Sequence, residues 1–196
     1  MNIVLLALVC LAVLGWLIRH YRTPIKHRWR RRQARVMCAQ LRGRDRNRPA
    51  TLIYARLRAM DPLAFEELLL EAFALRGHRV TRNRRYTGDG GVDGEVVIDG
   101  VRFLIQAKRY RDAIRPEHVR AFAELCAARG RQGLFIHTGR TGNMSREAAD
   151  SSPLVTVISG RTLLALLTGA DCQLPGARWR RNEGLPTAER IKGSAR

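Results

Sequence analysis

Residues 88–108 read GDGGVDGEVVIDGVRFLIQAK, and the reading of this stretch decides the fold. Asp99-Gly100 sits between two runs rich in β-branched and large apolar residues, Val92–Ile98 and Val101–Lys108. An Asp-Gly pair so flanked predicts a hairpin closed by a two-residue turn. With a tight turn Ile98 faces Val101, and pairing continues outwards until Asp93 lies opposite Gln106. Side chains alternate between the two faces of a strand. One face then carries Gly94, Val96, Ile98, Val101, Phe103, Ile105 and Ala107, all apolar, and must be core. The other carries Asp93, Glu95, Val97, Arg102, Leu104, Gln106 and Lys108. Directly opposite residues have Cβ atoms roughly 4.5–5.5 Å apart, so a carboxylate, an amide and an ammonium are grouped within reach of one ion or one water. A β-bulge in either strand would break this register.

Working outward, Asp61-Pro62 opens a helix, Asp as cap and Pro at the first helical position. Leu63, Phe65, Leu68, Leu69, Ala72 and Phe73 recur along it at helical spacing, and Gly77 closes it. His78–Arg82 reads as a short strand and Tyr86–Gly91 as a turn-rich loop. A second helix follows Pro116, with Val119, Phe122, Ala123, Leu125 and Cys126 as its apolar stripe and Gly130 as its stop. Gly133–His137 is a buried strand, Asn143–Asp150 a short helix opened by Asn143 or Ser145, Leu154–Ile158 a further strand and Arg161–Leu167 a last helix. Interleaved strands and helices of this kind predict an α/β fold, a mixed β-sheet flanked by helices. Beyond Gly169, Pro, Gly and Arg dominate, so 169–196 is expected to be a poorly ordered basic tail.

The 36 Lys+Arg against 17 Asp+Glu give a net charge of +19, which predicts a polyanionic partner: nucleic acid, an anionic membrane face, or both. Collagen-like, coiled-coil and low-complexity classes do not fit the composition. Three of the 36 basic residues are lysines, Lys26, Lys108 and Lys192. Lys108 is thus a place where a compact ammonium stands in an Arg-biased chain. Cys10, Cys38, Cys126 and Cys172 form no C-x-x-C and have no His at zinc-finger spacing, so four free thiols in a reducing compartment are expected.

Ile3–Ile18 (IVLLALVCLAVLGWLI) holds no charge and is followed by Arg19, Arg22, Lys26, Arg28, Arg30, Arg31, Arg32 and Arg35. This pattern predicts a transmembrane anchor over 1–22, single-pass in the inner membrane, with the rest of the chain cytoplasmic by the positive-inside rule. A cleaved signal peptide is the competing reading, although no basic stretch precedes the apolar run and no A-x-A site follows it. Residues 23–58 then read as a basic juxtamembrane connector, 59–168 as the catalytic domain.

A carboxylate and a second oxygen ligand on adjacent strands suit a hard cation such as Mg²⁺, with Mn²⁺ as a substitute. A lysine beside the ion can orient a water and stabilise charge on phosphate, so hydrolysis of a phosphodiester is the expected chemistry. GDGGVDG at 88–94 and QAKRY at 106–110 resemble the catalytic core of the Mrr-type restriction endonucleases, in the PD-(D/E)xK nuclease superfamily, where Gln replaces the middle acid. The resemblance extends from Phe65-Glu66 through FIHTGRTGNMSREA at 135–148 to VISG at 157–160, about half the chain. It implies a restriction-endonuclease-like fold and a Mg²⁺-dependent DNA endonuclease acting against foreign or modified DNA. It further implies Asp93 as metal ligand, Gln106 in the second acidic position, Lys108 as the catalytic lysine and Glu66 completing the metal set. Glu66 and Glu67 are adjacent, and the choice between them stays open. His137-Thr138 departs from the Thr pair of many relatives. Asp89 is read as shaping its loop, Ser145 as a helix cap, and His118 and His137 as surface and core histidines. DNA is the expected partner, and cutting both strands usually needs two sites, which makes a homodimer a further expectation. A non-catalytic module tethering DNA to the membrane is the alternative from a different class, and a lipid-surface protein a third.

Overall fold

The computed structural model describes residues 3–83 and 90–174, the side chains of 3–8 and 17–26 excepted. Asp89, most of the 86–91 loop and the tail beyond 174 lie outside the described residues. The elements run α1 (Ile3–Arg42), α2 (Ala50–Ala59), α3 (Pro62–Ala74), β1 (Arg79–Thr81), β2 (Gly94–Ile98), β3 (Val101–Lys108), α4 (Pro116–Ala128), β4 (Gln132–His137), α5 (Asn143–Asp150), β5 (Val155–Ile158) and α6 (Gly160–Thr168).

The sheet is built on the hairpin. β2 and β3 pair antiparallel with Ile98 opposite Val101, Val96 opposite Phe103 and Gly94 opposite Ile105, with no bulge in the ladder. Asp99 (φ 50°) and Gly100 (φ 83°) both take positive φ, as a turn matched to the strands' right-handed twist requires. β1 adds antiparallel to β2, while β4 and then β5 add parallel to β3, giving the order β1-β2-β3-β4-β5 in a mixed sheet.

Each face of the sheet is covered. Val96, Ile98, Phe103, Ile105, Leu134, Ile136 and Ile158 meet α1, α2, α3 and α6 in the main core. Leu104, Phe135 and Val155 meet Val119, Phe122 and Cys126 of α4 and Ala148 of α5 in a second core. Burying each such large side chain contributes about 1.5–3 kcal/mol. Val96, Ile98, Phe103, Ile105 and Ala107 all fall in the main core, and Val101 packs against it. Ser145 does not cap α5, where Gly142 holds that place; it is buried and donates to Ile114 O at 2.7 Å.

The N-terminal third departs from expectation. No helix among the described residues is long and apolar enough to cross a membrane, so the transmembrane helix expected over 1–22 is not found there. The sixteen uncharged residues cover about 24 Å at 1.5 Å each, short of a ~30 Å hydrocarbon core, and Arg19 and Arg22 follow at once. Nor is 23–58 a linker apart from the fold. α1 continues unbroken to Arg42, and Ala34, Met37, Cys38 and Leu41 on one of its faces are buried in the main core with Ile53 and Leu57 of α2. α2 itself has no counterpart in the sequence reading.

Candidate active site

α3 begins where Asp61 accepts a hydrogen bond from Ala64 N at 3.0 Å, the expected cap. Arg30 of α1 also donates its Nε to the same Asp61 oxygen at 3.0 Å. Two adjacent glutamates follow on the first two turns, and the helix sends them to different places. Glu67 is buried, 3% exposed, between Arg31 Nε at 3.5 Å and Arg82 Nε at 3.0 Å, and Arg82 also bridges to Glu71 at 3.0 Å. A buried carboxylate needs such partners, and Glu67 is spent on joining α1, α3 and the residue after β1.

Glu66 turns the other way. Burial is the larger cause that pushes its carboxyl up to about 8; the Asp93 carboxylate adds to the rise and the Lys108 ammonium opposes it. Its electrostatic neighbours are therefore Asp93 and Lys108 of the hairpin, with Glu67 and Asp61 on the side of its own helix. Glu66 feels the charges of the hairpin, whereas Glu67 is taken up by Arg31 and Arg82.

Asp93 stands just before β2, where the hairpin pairing ends. Its backbone N–H donates to Ile105 O at 2.8 Å, the residue that Gly94 already faces, so the ladder does not run on to set Asp93 opposite Gln106 as expected. Its Oδ2 accepts from Ala107 N at 2.7 Å. The carboxylate thus satisfies the next β3 amide where β2 has no further residue in the ladder, and it is pinned between Gln106 and Lys108. Gln106 donates its Nε2 to Gly91 O at 2.9 Å, which turns the amide oxygen away from that loop. Lys108, half-buried, ends β3 in register with His137 of β4. Glu66, Asp93, Gln106 and Lys108 are thereby brought to one end of the hairpin. Among the described residues no three His, Cys, Asp or Glu side chains cluster to hold an ion. The donor set here is two carboxylates and an amide oxygen, all hard oxygen donors of the kind Mg²⁺ takes. The raised Glu66 pKa has burial as its main cause and the Asp93 carboxylate as the next.

Other residues singled out by sequence take structural posts. His137 is fully buried, burial lowers it to about 4, and its Nε2 meets Thr141 Oγ1 at 3.1 Å, which in turn meets Ser159 Oγ at 3.2 Å. It stands as a neutral core histidine. His118 stacks on Tyr110 with ring centroids 5.8 Å apart, and its Nδ1 lies 2.5 Å from the Tyr110 hydroxyl. Arg109 reaches back to Arg58 O at 2.6 Å and to Met60 O, at the end of α2. Arg58 answers by donating to Tyr110 O at 3.1 Å and Thr138 O at 2.7 Å. This reciprocal arginine clamp fixes the chain just past β3 and β4 against α2, directly beyond Lys108. Arg58 gave no signal in the sequence: it is one arginine among many, and only the fold sets it between two strand ends.

Asp93, Gln106, Lys108 and the helix-borne Glu66 thus belong to a five-stranded mixed sheet and the helices that cover both its faces. A family model described as a restriction endonuclease, Mrr_cat, matches residues 57–167, and the chain belongs to that family. The chain is 28% identical over 130 residues to the type IV methyl-directed restriction enzyme EcoKMrr of Escherichia coli (strain K12), covering 62% of this chain and 43% of that enzyme. It thus spans less than half the length of this relative. Among solved structures it is similar to the DNA modification-dependent restriction endonuclease AspBHI, at 19% identity and a TM-score of 0.35 over 77% of this chain and 39% of that one. SfsA of Pyrococcus furiosus in complex with Ca²⁺ matches at 15% identity and a TM-score of 0.33, over 54% of this chain and 56% of that one.

Proposed function

We propose that this chain is a Mg²⁺-dependent DNA endonuclease that hydrolyses phosphodiester bonds, acting against foreign or modified DNA as the methyl-directed relative's name describes for that enzyme. The observation that supports the reading is that the Asp93 carboxylate, bonded to Ala107 N between Gln106 and Lys108, acts with Lys108 on the buried Glu66 carboxyl. Glu66, Asp93 and the Gln106 amide oxygen would hold the ion. When bound, a divalent cation supplies Lewis acidity toward a phosphoryl oxygen and a more acidic water. The chain's own groups do the rest. Lys108 orients the attacking water and places a positive charge where negative charge develops on phosphate. Asp93, held by Ala107 N, keeps the donor set from turning with its rotamer. The net charge of +19 draws the polyanion in and makes binding strongly salt-dependent.

The test is plasmid cleavage by the full chain in Mg²⁺, on modified and unmodified DNA. Asp93→Ala and Lys108→Ala should each lower cleavage by about 100-fold or more. Cleavage at the parental rate by either variant overturns the proposal. The same charge of +19 also favours a second reading, a DNA-binding module without catalysis. That reading predicts salt-sensitive binding and no metal-dependent cutting on any DNA.

A further inference from the structure

We propose that the groove between the second half of α1 and α2 is a nucleobase pocket, receiving one unstacked base of the DNA engaged at the hairpin; this rests on DNA being the substrate. A cavity of about 450 Å³ lies there, within the size range of ligand sites. Trp29, Gln33 and Gln40 recur at helical spacing along the groove, and Met37, buried with Ala34, Cys38 and Leu41 in the core, also reaches its lining. Met37 and Met60 give the groove an apolar floor, and Trp29, 56% exposed, forms a wall. An indole left this open is a surface on which a base can stack.

Gln33 lines the groove, and its Oε1, shielded from solvent, makes no hydrogen bond among the described residues, so a turn of this side chain would offer the acceptor to a ligand. A buried acceptor left unmade costs free energy, and a ligand N–H relieves it. An exocyclic amine or ring N–H of a base is such a donor, whereas a lipid acyl chain has none. The far wall is already set: Arg56 donates to Gln40 Oε1 and to the buried Asp45 Oδ2, both at 2.5 Å. Arg32 stands exposed at the rim, with Arg28 and Arg35 one turn to either side, so the groove mouth is charged to take the attached phosphate. The pocket also adjoins the catalytic end. Met60 precedes Asp61, the cap of the helix bearing Glu66, and its carbonyl is held by Arg109, the residue after Lys108.

Trp29 is one of three tryptophans, with Trp16 and Trp179. In the full chain carrying Trp16→Phe and Trp179→Phe, Trp29 becomes the sole indole reporter. A short single-stranded DNA and an abasic strand of equal length are titrated in chelator, at one salt concentration. The base-bearing strand should quench Trp29 emission and bind about 10-fold tighter than the abasic strand. Gln33→Leu should abolish that difference while leaving thermal stability equal or higher, since it removes an orphaned acceptor. Trp29→Phe, read by anisotropy of a labelled strand, should narrow the difference. Equal affinity for the two strands, or parental discrimination in Gln33→Leu, overturns the proposal. Because no metal is present, the result stands apart from the cleavage assay: quenching with no cutting sinks the nuclease reading alone, and cutting with no base-dependent quenching sinks the pocket alone.

Discussion

Glu66 carries the clearest electrostatic signature in the protein. Its proton is held in the folded chain up to about pH 8 and is released by the unfolded chain near the ordinary value of 4.5, chiefly because the carboxyl is buried and then because Asp93 is close. Between those values the folded state binds more protons than the unfolded, so metal-free stability must fall as pH rises from about 4.5 to 8. This is opposite in sign to a salt-bridged carboxylate. Glu66→Gln should flatten the slope and, at pH 8, raise stability by on the order of 1 kcal/mol, the full shift being discounted for a partly open site. Urea unfolding at a series of pH values in chelator reads this directly. Parallel pH profiles for parent and variant would refute the assignment. Sequence could not separate the two glutamates. They are adjacent on one helix, and what tells them apart is the arginine on each side, supplied by α1 and by the residue past β1.

At the scale of elements, the hairpin was almost fully legible. An Asp-Gly turn with period-two flanks leaves one register, and the observed ladder keeps it from Ile98–Val101 to Gly94–Ile105. Two glycines set its precision for different reasons. Gly100 needs its positive φ for the turn, and a side chain there meets open space. Gly100→Ala should therefore cost about 1 kcal/mol of stability through backbone strain, with cleavage nearly intact. Gly94 sits next to Asp93 at φ 154°, and a Cβ there would approach Leu70 Cδ2 to 2.9 Å and Thr81 O to 3.1 Å. Gly94→Ala must turn the Leu70 side chain aside and press on the β1 backbone at Thr81, disturbing the backbone next to Asp93. Comparing kcat with melting temperature discriminates the cases: Gly94→Ala should lose far more activity than its stability loss accounts for, and Gly100→Ala should not. Equal loss of activity in both would contradict this. What the sequence hid was local chemistry outside the periodic segments, above all the Arg58–Arg109 clamp, where arginines act as hydrogen-bond donors to carbonyls rather than as surface charge.

At the scale of the whole molecule, the fold begins earlier than the family match does. Ala34, Met37, Cys38 and Leu41 are buried against α3, while the matched region starts at residue 57. Losing these side chains from the core removes on the order of 5 kcal/mol or more, comparable to the total stability of an ordinary domain. A chain beginning at residue 57 should thus be insoluble or molten, and one beginning at residue 27 should melt cooperatively. Circular dichroism melts of both settle the point, and cooperative melting of the shorter chain would show that α1 is dispensable. The reason this helix escaped sequence reading is physical. Its apolar stripe is narrow and set among Arg28, Arg30, Arg31, Arg32 and Arg35, so charge density masked the spacing of the buried positions.

The same helix has a mechanical corollary. Forty residues at 1.5 Å each make a rod of about 60 Å, rooted at its lower end in the interior and carrying Val9, Leu11, Val13, Leu14 and Trp16 bare near its top. Pro24 takes one N–H out of the hydrogen-bond ladder midway along it, so whatever grips those upper residues holds the sheet through a joint as well as a lever.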